Sequence, residues 1–199
     1  MRIIAGSLKG RRMVAPAWTG LRPTSDKLRE TLFNVLGGRV TGARVVDGFA
    51  GTGAVGLEAI SRGAAQVVFV EADRRAIQLI AENVRRCGVV DRCVIIRGVF
   101  QDALIPEDRG QHFDLVFLDP PYDEADLDRL VARAGALLSR GGLVILEHAT
   151  RREPPGIVTD CELRRTVVSG DSALTIYQRI GGEDASEGVV ESMRTESGT

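Results

Sequence analysis

The chain is poor in cysteine. Cys87, Cys93 and Cys161 are the only three in 199 residues. An odd number without CxxC spacing excludes a disulfide scaffold and a cysteine zinc knuckle, and a reduced, cytoplasmic protein is expected. Histidine is scarcer still. His112 and His148 stand apart from each other, so no metal set is expected. No apolar run approaches the roughly 18 residues of a membrane span, and Met1 opens no apolar signal core, so neither an anchor nor a secretory leader is expected. Lysine is confined to Lys9 and Lys27 among 26 basic residues, a bias with no functional weight. What remains is a chain with 44% hydrophobic residues, sufficient for one globular domain of ordinary size.

The formal net charge of −1 argues at first against a nucleic-acid partner, but it is a cancellation. Residues 1–44 carry Arg2, Lys9, Arg11, Arg12, Arg22, Lys27, Arg29, Arg39 and Arg44 against Asp26 and Glu30, a net +7. Residues 45–180 are net −4, and the stretch from Gly181 to Thr199 is again net −4. A basic front on a mildly acidic body is either a footprint for phosphate or simply a solvated face. The last stretch, rich in Gly, Ser, Thr and Glu and without aromatics, has too little to bury and is expected to be disordered.

From Arg44 onwards short apolar runs alternate with amphipathic stretches, the pattern of a parallel sheet with crossover helices. Strands are expected at Arg44–Asp47, Gln66–Glu71, Cys93–Arg97, Phe113–Asp119 and Gly142–Glu147. Several are apolar almost throughout, as befits strands covered on both faces. Asp73 caps an expected helix that closes at Gly88, and a second helix is expected over Ala125–Leu138. Glu162–Val168 and Ser172–Ile180, separated by Ser169-Gly170-Asp171, read as an antiparallel pair. At the front, Arg2–Ala5 and Arg11–Ala15 suggest a hairpin. Thr24 follows Pro23 as the expected cap of a helix that buries Leu28, Leu32, Val35 and Leu36 and stops at Gly37-Gly38. The expected organisation is a basic extension at 1–41, an α/β domain at 42–180 and a loose acidic tail at 181–199.

After the first expected strand, Asp47-Gly48-Phe49-Ala50-Gly51-Thr52-Gly53-Ala54-Val55-Gly56 satisfies GxGxxG in the strand–turn–helix position of a nucleotide loop. On its own this fits NAD, FAD and S-adenosylmethionine alike, or merely a tight turn. The charges around it discriminate. Asp47, Glu71, Asp119 and Glu147 stand at the carboxyl ends of four expected strands, the edge where open parallel sheets bind ligands. Pyrophosphate would be repelled there, whereas the sulfonium, ammonium and ribose diol of S-adenosylmethionine suit carboxylates. Asp47 is expected to act on the loop and the ammonium, and Glu71 on both ribose hydroxyls.

Asp119-Pro120-Pro121-Tyr122 follows the fourth apolar run. Beyond a stiff strand exit, this tetrapeptide suits methylation of an exocyclic amine on a base, a poor nucleophile because its lone pair is delocalised into the ring. Asp119 and the Pro120 carbonyl can accept both N–H bonds, the prolines fix the backbone, and Tyr122 can stack on a flipped base.

Together with Arg2-Ile3-Ile4-Ala5-Gly6…Gly10-Arg11 and the run from Gly20 to Asn34, these motifs resemble the bacterial 16S ribosomal RNA guanine-966 N2-methyltransferases over roughly residues 2–180. The resemblance implies a seven-stranded, Rossmann-like class I methyltransferase fold, mostly parallel with a C-terminal antiparallel hairpin. It also implies S-adenosylmethionine as cofactor, small-subunit rRNA or its assembly intermediate as partner, and no metal or membrane. A monomer is expected. Residue by residue it implies a catalytic set of Asp119, Pro120, Pro121 and Tyr122. The implied cofactor set is Asp47, Phe49, Gly51, Thr52, Gly53, Glu71 and Val99, and Arg11, Arg12, Arg22 and Thr24 face the RNA. Val99 departs from the Asp or Asn usual after the third strand, so a backbone contact to adenine is expected there. Three other readings share these features: an adenine-N6 methyltransferase on DNA or RNA, a non-catalytic RNA-binding module of the same fold, and an NAD-dependent oxidoreductase. Trp18 is open to stacking on RNA or to packing, while Cys87 and Cys93 are expected to pack as small apolar groups.

Overall fold

In a computed structural model that describes residues 1–18, 24–105, 112–122 and 124–181, the alternation of apolar and amphipathic segments becomes a twisted sheet with helices on both faces. In chain order the elements are α1 (Asp26–Leu36), β1 (Arg44–Asp47), α2 (Ala54–Ser61), β2 (Gln66–Glu71), α3 (Arg74–Cys87), β3 (Cys93–Arg97), β4 (Phe113–Leu118), α4 (Leu127–Leu137), β5 (Leu138–Ala149), β6 (Ile157–Val158), β7 (Cys161–Ser169) and β8 (Ser172–Arg179). The strand order is β3-β2-β1-β4-β5-β8-β7-β6. The first five are parallel, and β8 runs antiparallel between β5 and β7. This is the expected Rossmann-like seven-stranded methyltransferase fold, widened at one edge by the two-residue β6. The order reverses between β1 and β4, and a crevice opens at that point beyond the carboxyl ends of the strands.

β1, β2 and β4 are apolar because each is covered twice. One core cluster, including Val45, Leu57, Phe69, Ile80 and Leu115, lies between the sheet and α1, α2 and α3. The other, including Val46, Phe113, Val116, Leu130 and Tyr177, lies under α4. Ile3, Met13, Leu28, Leu32 and Phe33 of the basic front belong to the first cluster. Their burial is continuous with the sheet core. The sequence tail at 182–199 lies outside the described residues, of which no helix is long and apolar enough to cross a membrane.

Several boundaries differ from expectation, four of them for a reason visible in the structure. Ser25, not Thr24, caps α1; its side chain accepts from the Leu28 amide at 3.2 Å. Asp126 caps α4, which is shorter than Ala125–Leu138. β5 begins four residues earlier than expected, because Leu138 pairs with Phe113 across an irregular register before Leu143 pairs with Leu115. The front hairpin is short: Arg2 bridges Arg12, with Ile3 N donating to the Arg11 carbonyl, Gly10 N to the Ile3 carbonyl and Met13 N to the Met1 carbonyl. Further backbone groups of the same segment dock on α2 and α3. The buried Glu58 carboxylate accepts from the amides of Ile4 and Ala5 at 2.8 and 3.0 Å. Ser61 Oγ accepts from Leu8 N, and Asn83 bonds both backbone groups of Val14. Side chains of α2 and α3 thus satisfy backbone groups of the front segment that its own pairing leaves over.

Gly6 marks how close this docking is. It has φ +81°, and a Cβ there would stand 1.9 Å from the Ser61 carbonyl oxygen. Gly6→Ala should therefore destabilise the protein by about 2–3 kcal/mol, read from the urea midpoint. An unshifted midpoint would mean that the front is not held by this contact.

Candidate active site

The glycine loop is shaped from its own edge inward. β1 ends at Asp47, whose Oδ2 accepts from the Gly56 amide in the first turn of α2 at 3.0 Å. Gly48 donates to the Phe117 carbonyl at 2.8 Å. A Cβ on Gly48 would meet Leu118 and Phe100 at 2.8 Å, so only glycine passes between β1 and β4 here. Gly51 and Gly53 have φ +54° and +76°, in the left-handed region that glycine alone enters without strain. Gly56 serves packing, since a Cβ would lie 2.3 Å from the Phe69 ring. The three motif glycines therefore divide between turning the chain and letting α2 approach β2.

The Glu71 carboxylate ties this loop to the next. Oε2 accepts from Gly51 N, and Oε1 from Ala72 N and Asp73 N, each at 2.8 Å. With about four acceptor sites on a carboxylate, the capacity left for a ligand is mainly on Oε2. Burial pushes the Asp47 carboxyl up to about 7; the Gly56 N–H opposes this and the nearby Glu71 charge adds to it. A carboxylate held this way, with a backbone amide as its donor, fits a cationic ligand group. Cation binding would draw it into the ionised state.

A cavity of about 450 Å³ unites these groups. Asp47, Phe49, Gly51, Thr52 and Glu71 line one half. Asp119, Pro120, Pro121 and Tyr122 line the other, where Thr24, Ser25, Leu28 and Leu32 of the α1 entry close over them. Tyr122 is 39% exposed, and its phenol lies 2.9 Å from Ser172 Oγ. Glu147, Ser172 and Leu174 complete the wall. Glu147 was expected at this edge from its strand end but without a role of its own. Ser172 and Leu174 were not expected, because they depend on the antiparallel register of β8, which no motif encodes.

Not every expected residue joins the cavity. Gly53 caps α2 behind the lining. Val99 is 50% exposed on the turn after β3, where its carbonyl accepts from Asp102 N, and it does not line the cavity. Arg22 lies outside the described residues. Arg11 is exposed and donates to the Arg86 carbonyl at the end of α3, 2.8 Å away. Arg12 is exposed beside it.

The basic front also divides. Arg29 is fully buried, bonded to Asp26 and to the Arg2 carbonyl. Arg44 lies over the Phe113 ring at the opposite end of β1 from the cavity. Arg2, Lys9, Arg11, Arg12, Lys27 and Arg39 remain exposed.

The other conspicuous side chains are structural. His148 is buried between Thr175 Oγ1 and the Ala149 carbonyl. Trp18 carries the Arg75 guanidinium over its ring at 5.1 Å. Burial raises the Cys87 thiol and pushes Cys93 up to about 12, far from thiolate chemistry. Among the described residues no group of His, Cys, Asp and Glu is arranged to hold a metal.

A family profile described as "Conserved hypothetical protein 95" matches residues 1–178. "Putative rRNA methyltransferase YlbH" of Bacillus subtilis (strain 168) is 36% identical over 184 residues, covering 91% of this chain and 100% of that protein. "Ribosomal RNA small subunit methyltransferase D" of Escherichia coli (strain K12) is 33% identical over 181 residues, 90% of each chain. Among solved structures, "Putative methyltransferase yhhF from Escherichia coli" superimposes with a TM-score of 0.79 at 32% identity, over 92% of this chain and 99% of that one.

Proposed function

Since the chain belongs to the Conserved hypothetical protein 95 family of rRNA methyltransferases, we propose that it methylates the exocyclic N2 amine of one guanine in small-subunit rRNA, with S-adenosylmethionine as methyl donor. The observation that carries this reading is the convergence of Asp47, Glu71 and the glycine loop with Asp119–Tyr122 in one cavity. S-adenosylmethionine supplies an electrophilic methyl group on a positively charged sulfur and leaves as S-adenosylhomocysteine. Asp47 would hold its ammonium and Glu71 Oε2 its ribose, and the glycines of residues 48–53 would let it approach the loop closely.

At the other half of the cavity, Asp119 and the Pro120 carbonyl accept the two N2–H bonds and turn the nitrogen lone pair towards the methyl carbon. Pro120 and Pro121 fix φ, so this orientation is set before the base arrives. Tyr122 stacks on the flipped base. As the amine takes the methyl group that S-adenosylmethionine would supply, with the C–S pair staying on sulfur, Asp119 would stabilise the positive charge that grows on N2. One N2 proton then leaves through Asp119 to water. The exposed basic residues of the front hold the phosphates that flank the target, and Thr24 connects that surface to the cavity mouth.

Incubating the protein with methyl-labelled S-adenosylmethionine and undermethylated small-subunit particles tests the substrate class. Label in the RNA fraction is expected. Label confined to ribosomal protein would contradict the reading.

Cofactor binding should also depend on pH in a defined direction. A cationic ligand needs Asp47 ionised, and its carboxyl titrates at about 7 in the free protein. Affinity should rise by up to about tenfold per pH unit between pH 5 and 7, then level off, with proton release on binding below pH 7. Calorimetric titration in buffers of different ionisation enthalpy measures both, and Asp47→Asn should flatten the dependence. In the absence of ligand the sign is opposite. The folded protein keeps a proton that the unfolded chain loses, so this group's contribution to stability falls as pH rises from about 4 to 7.

A further inference from the structure

The acceptor half of the cavity has an internal order that follows from strand periodicity. Phe117 and Asp119 come from alternate positions of β4 and its exit. Ile145 and Glu147 come from alternate positions of β5, and Ser172 and Leu174 from β8. Leu118 pairs with Leu146, which brings Asp119 and Glu147 to the same level on neighbouring strands, about 5 Å apart at the backbone. Glu147 in turn pairs with Leu174. The result is an apolar floor of Phe117 and Ile145 beneath a rim where two carboxylates stand side by side. Leu28 and Leu32 pack above it, and Tyr122 is braced by its contact with Ser172. Glu147 is 9% exposed.

We propose that Glu147 selects guanine, by accepting the N1–H of the flipped base while Asp119 engages the adjacent N2 amine. The assignment rests on the guanine-N2 reading above and adds the group that enforces it. An ionised carboxylate only accepts hydrogen bonds. Guanine presents two neighbouring donors, N1–H and N2–H, to such a pair. Adenine presents N6–H beside N1, and that N1 is an acceptor. It would face Glu147 lone pair to lone pair, a repulsive contact in a site of low exposure. Sites that hydrogen-bond a substrate group reject analogues lacking it far more strongly than apolar pockets do. Accepting N1–H also raises electron density on the ring nearest N2, which favours attack by that nitrogen. Glu147 is thus a specificity residue beside the catalytic Asp119, and the apolar floor keeps the base in the plane where both contacts form.

The test uses small-subunit particles reconstituted with either guanine or 2-aminopurine at the target position. 2-Aminopurine keeps the N2 amine but has an acceptor at N1. The wild-type protein should prefer guanine by at least about a hundredfold in kcat/KM. Glu147→Gln has both a carbonyl and an amide N–H, can serve either base, and should bring the two substrates to within about tenfold by gaining 2-aminopurine activity. Glu147→Asp keeps an acceptor and should retain the guanine preference at reduced rate. S-Adenosylmethionine affinity should change less than threefold in both variants, which separates base selection from loss of fold. Equal use of the two bases by the wild-type protein overturns the assignment, whatever the variants do. So does a Glu147→Gln protein with the wild-type ratio. Methylation of adenine N6 by the wild-type protein would instead overturn the guanine reading, and the role of Glu147 with it.

Discussion

Asp119→Ala is expected to lower kcat for methyl transfer by about 10²–10³-fold while leaving S-adenosylmethionine affinity within a few-fold of wild type. The magnitude is that of removing one preorganised group from the place where charge develops in a transition state. The asymmetry between turnover and binding follows from position. Asp119 lies past the end of β4, on the tetrapeptide half of the cavity. The cofactor half is built from Asp47, Glu71 and the loop they hold through Gly56 and Gly51. Asp119→Asn should retain more activity than the alanine variant, because its carbonyl still accepts one N–H although it offers no charge. Single-turnover rates alongside calorimetry separate the two effects. Normal turnover by Asp119→Ala would remove that residue from the chemistry, and a parallel loss of cofactor binding would make it a cofactor ligand.

Reversing Arg11 and Arg12 to Glu should weaken binding to small-subunit rRNA on the order of tenfold to a hundredfold at low salt. The slope of log K against log salt should fall in magnitude by about 1.5, as two phosphate contacts are lost. Arg11 has a second role in the structure, because it donates to the last turn of α3. Its reversal would place a negative charge at a helix C-terminus and cost up to about 1 kcal/mol of stability. Arg12→Glu alone is the cleaner variant and should reduce the slope by about half as much. A slope that does not change in either variant would mean that the basic front does not touch phosphate.

Much of this arrangement was legible in the sequence, for reasons that can be named. β1, β2 and β3 begin and end where expected because each is an apolar run bounded by charge or glycine. α3 does so because Asp73 and Gly88 supply its caps. Asp47, Glu71 and Asp119 were legible as site residues because strand ends in a parallel sheet point to one edge. What failed to read depended on contacts distant in sequence. The front hairpin is fastened by Glu58, Ser61 and Asn83, which lie 53 to 69 residues away along the chain. β5 extends through Gly141-Gly142, a pair that reads locally as a turn, because β4 lies beside it.

The charge of the front was legible as a sum but not as a surface. Arg29 is spent inside the core and Arg44 on a ring at the far end of β1. The exposed remainder is smaller than +7 suggests. Glu147 shows the reverse case. Its position at a strand end was visible in the sequence, but its neighbours were not, and the register of β5 with β4 and β8 is what sets it beside Asp119 and Leu174.

The measurement that bears most directly on the whole account is nucleoside analysis, by mass spectrometry, of small-subunit rRNA after reaction with labelled S-adenosylmethionine. The expected result is label in N2-methylguanosine at a single position, formed about 10²–10³-fold more slowly by Asp119→Ala. Label recovered as N6-methyladenosine, with none in N2-methylguanosine, would contradict it.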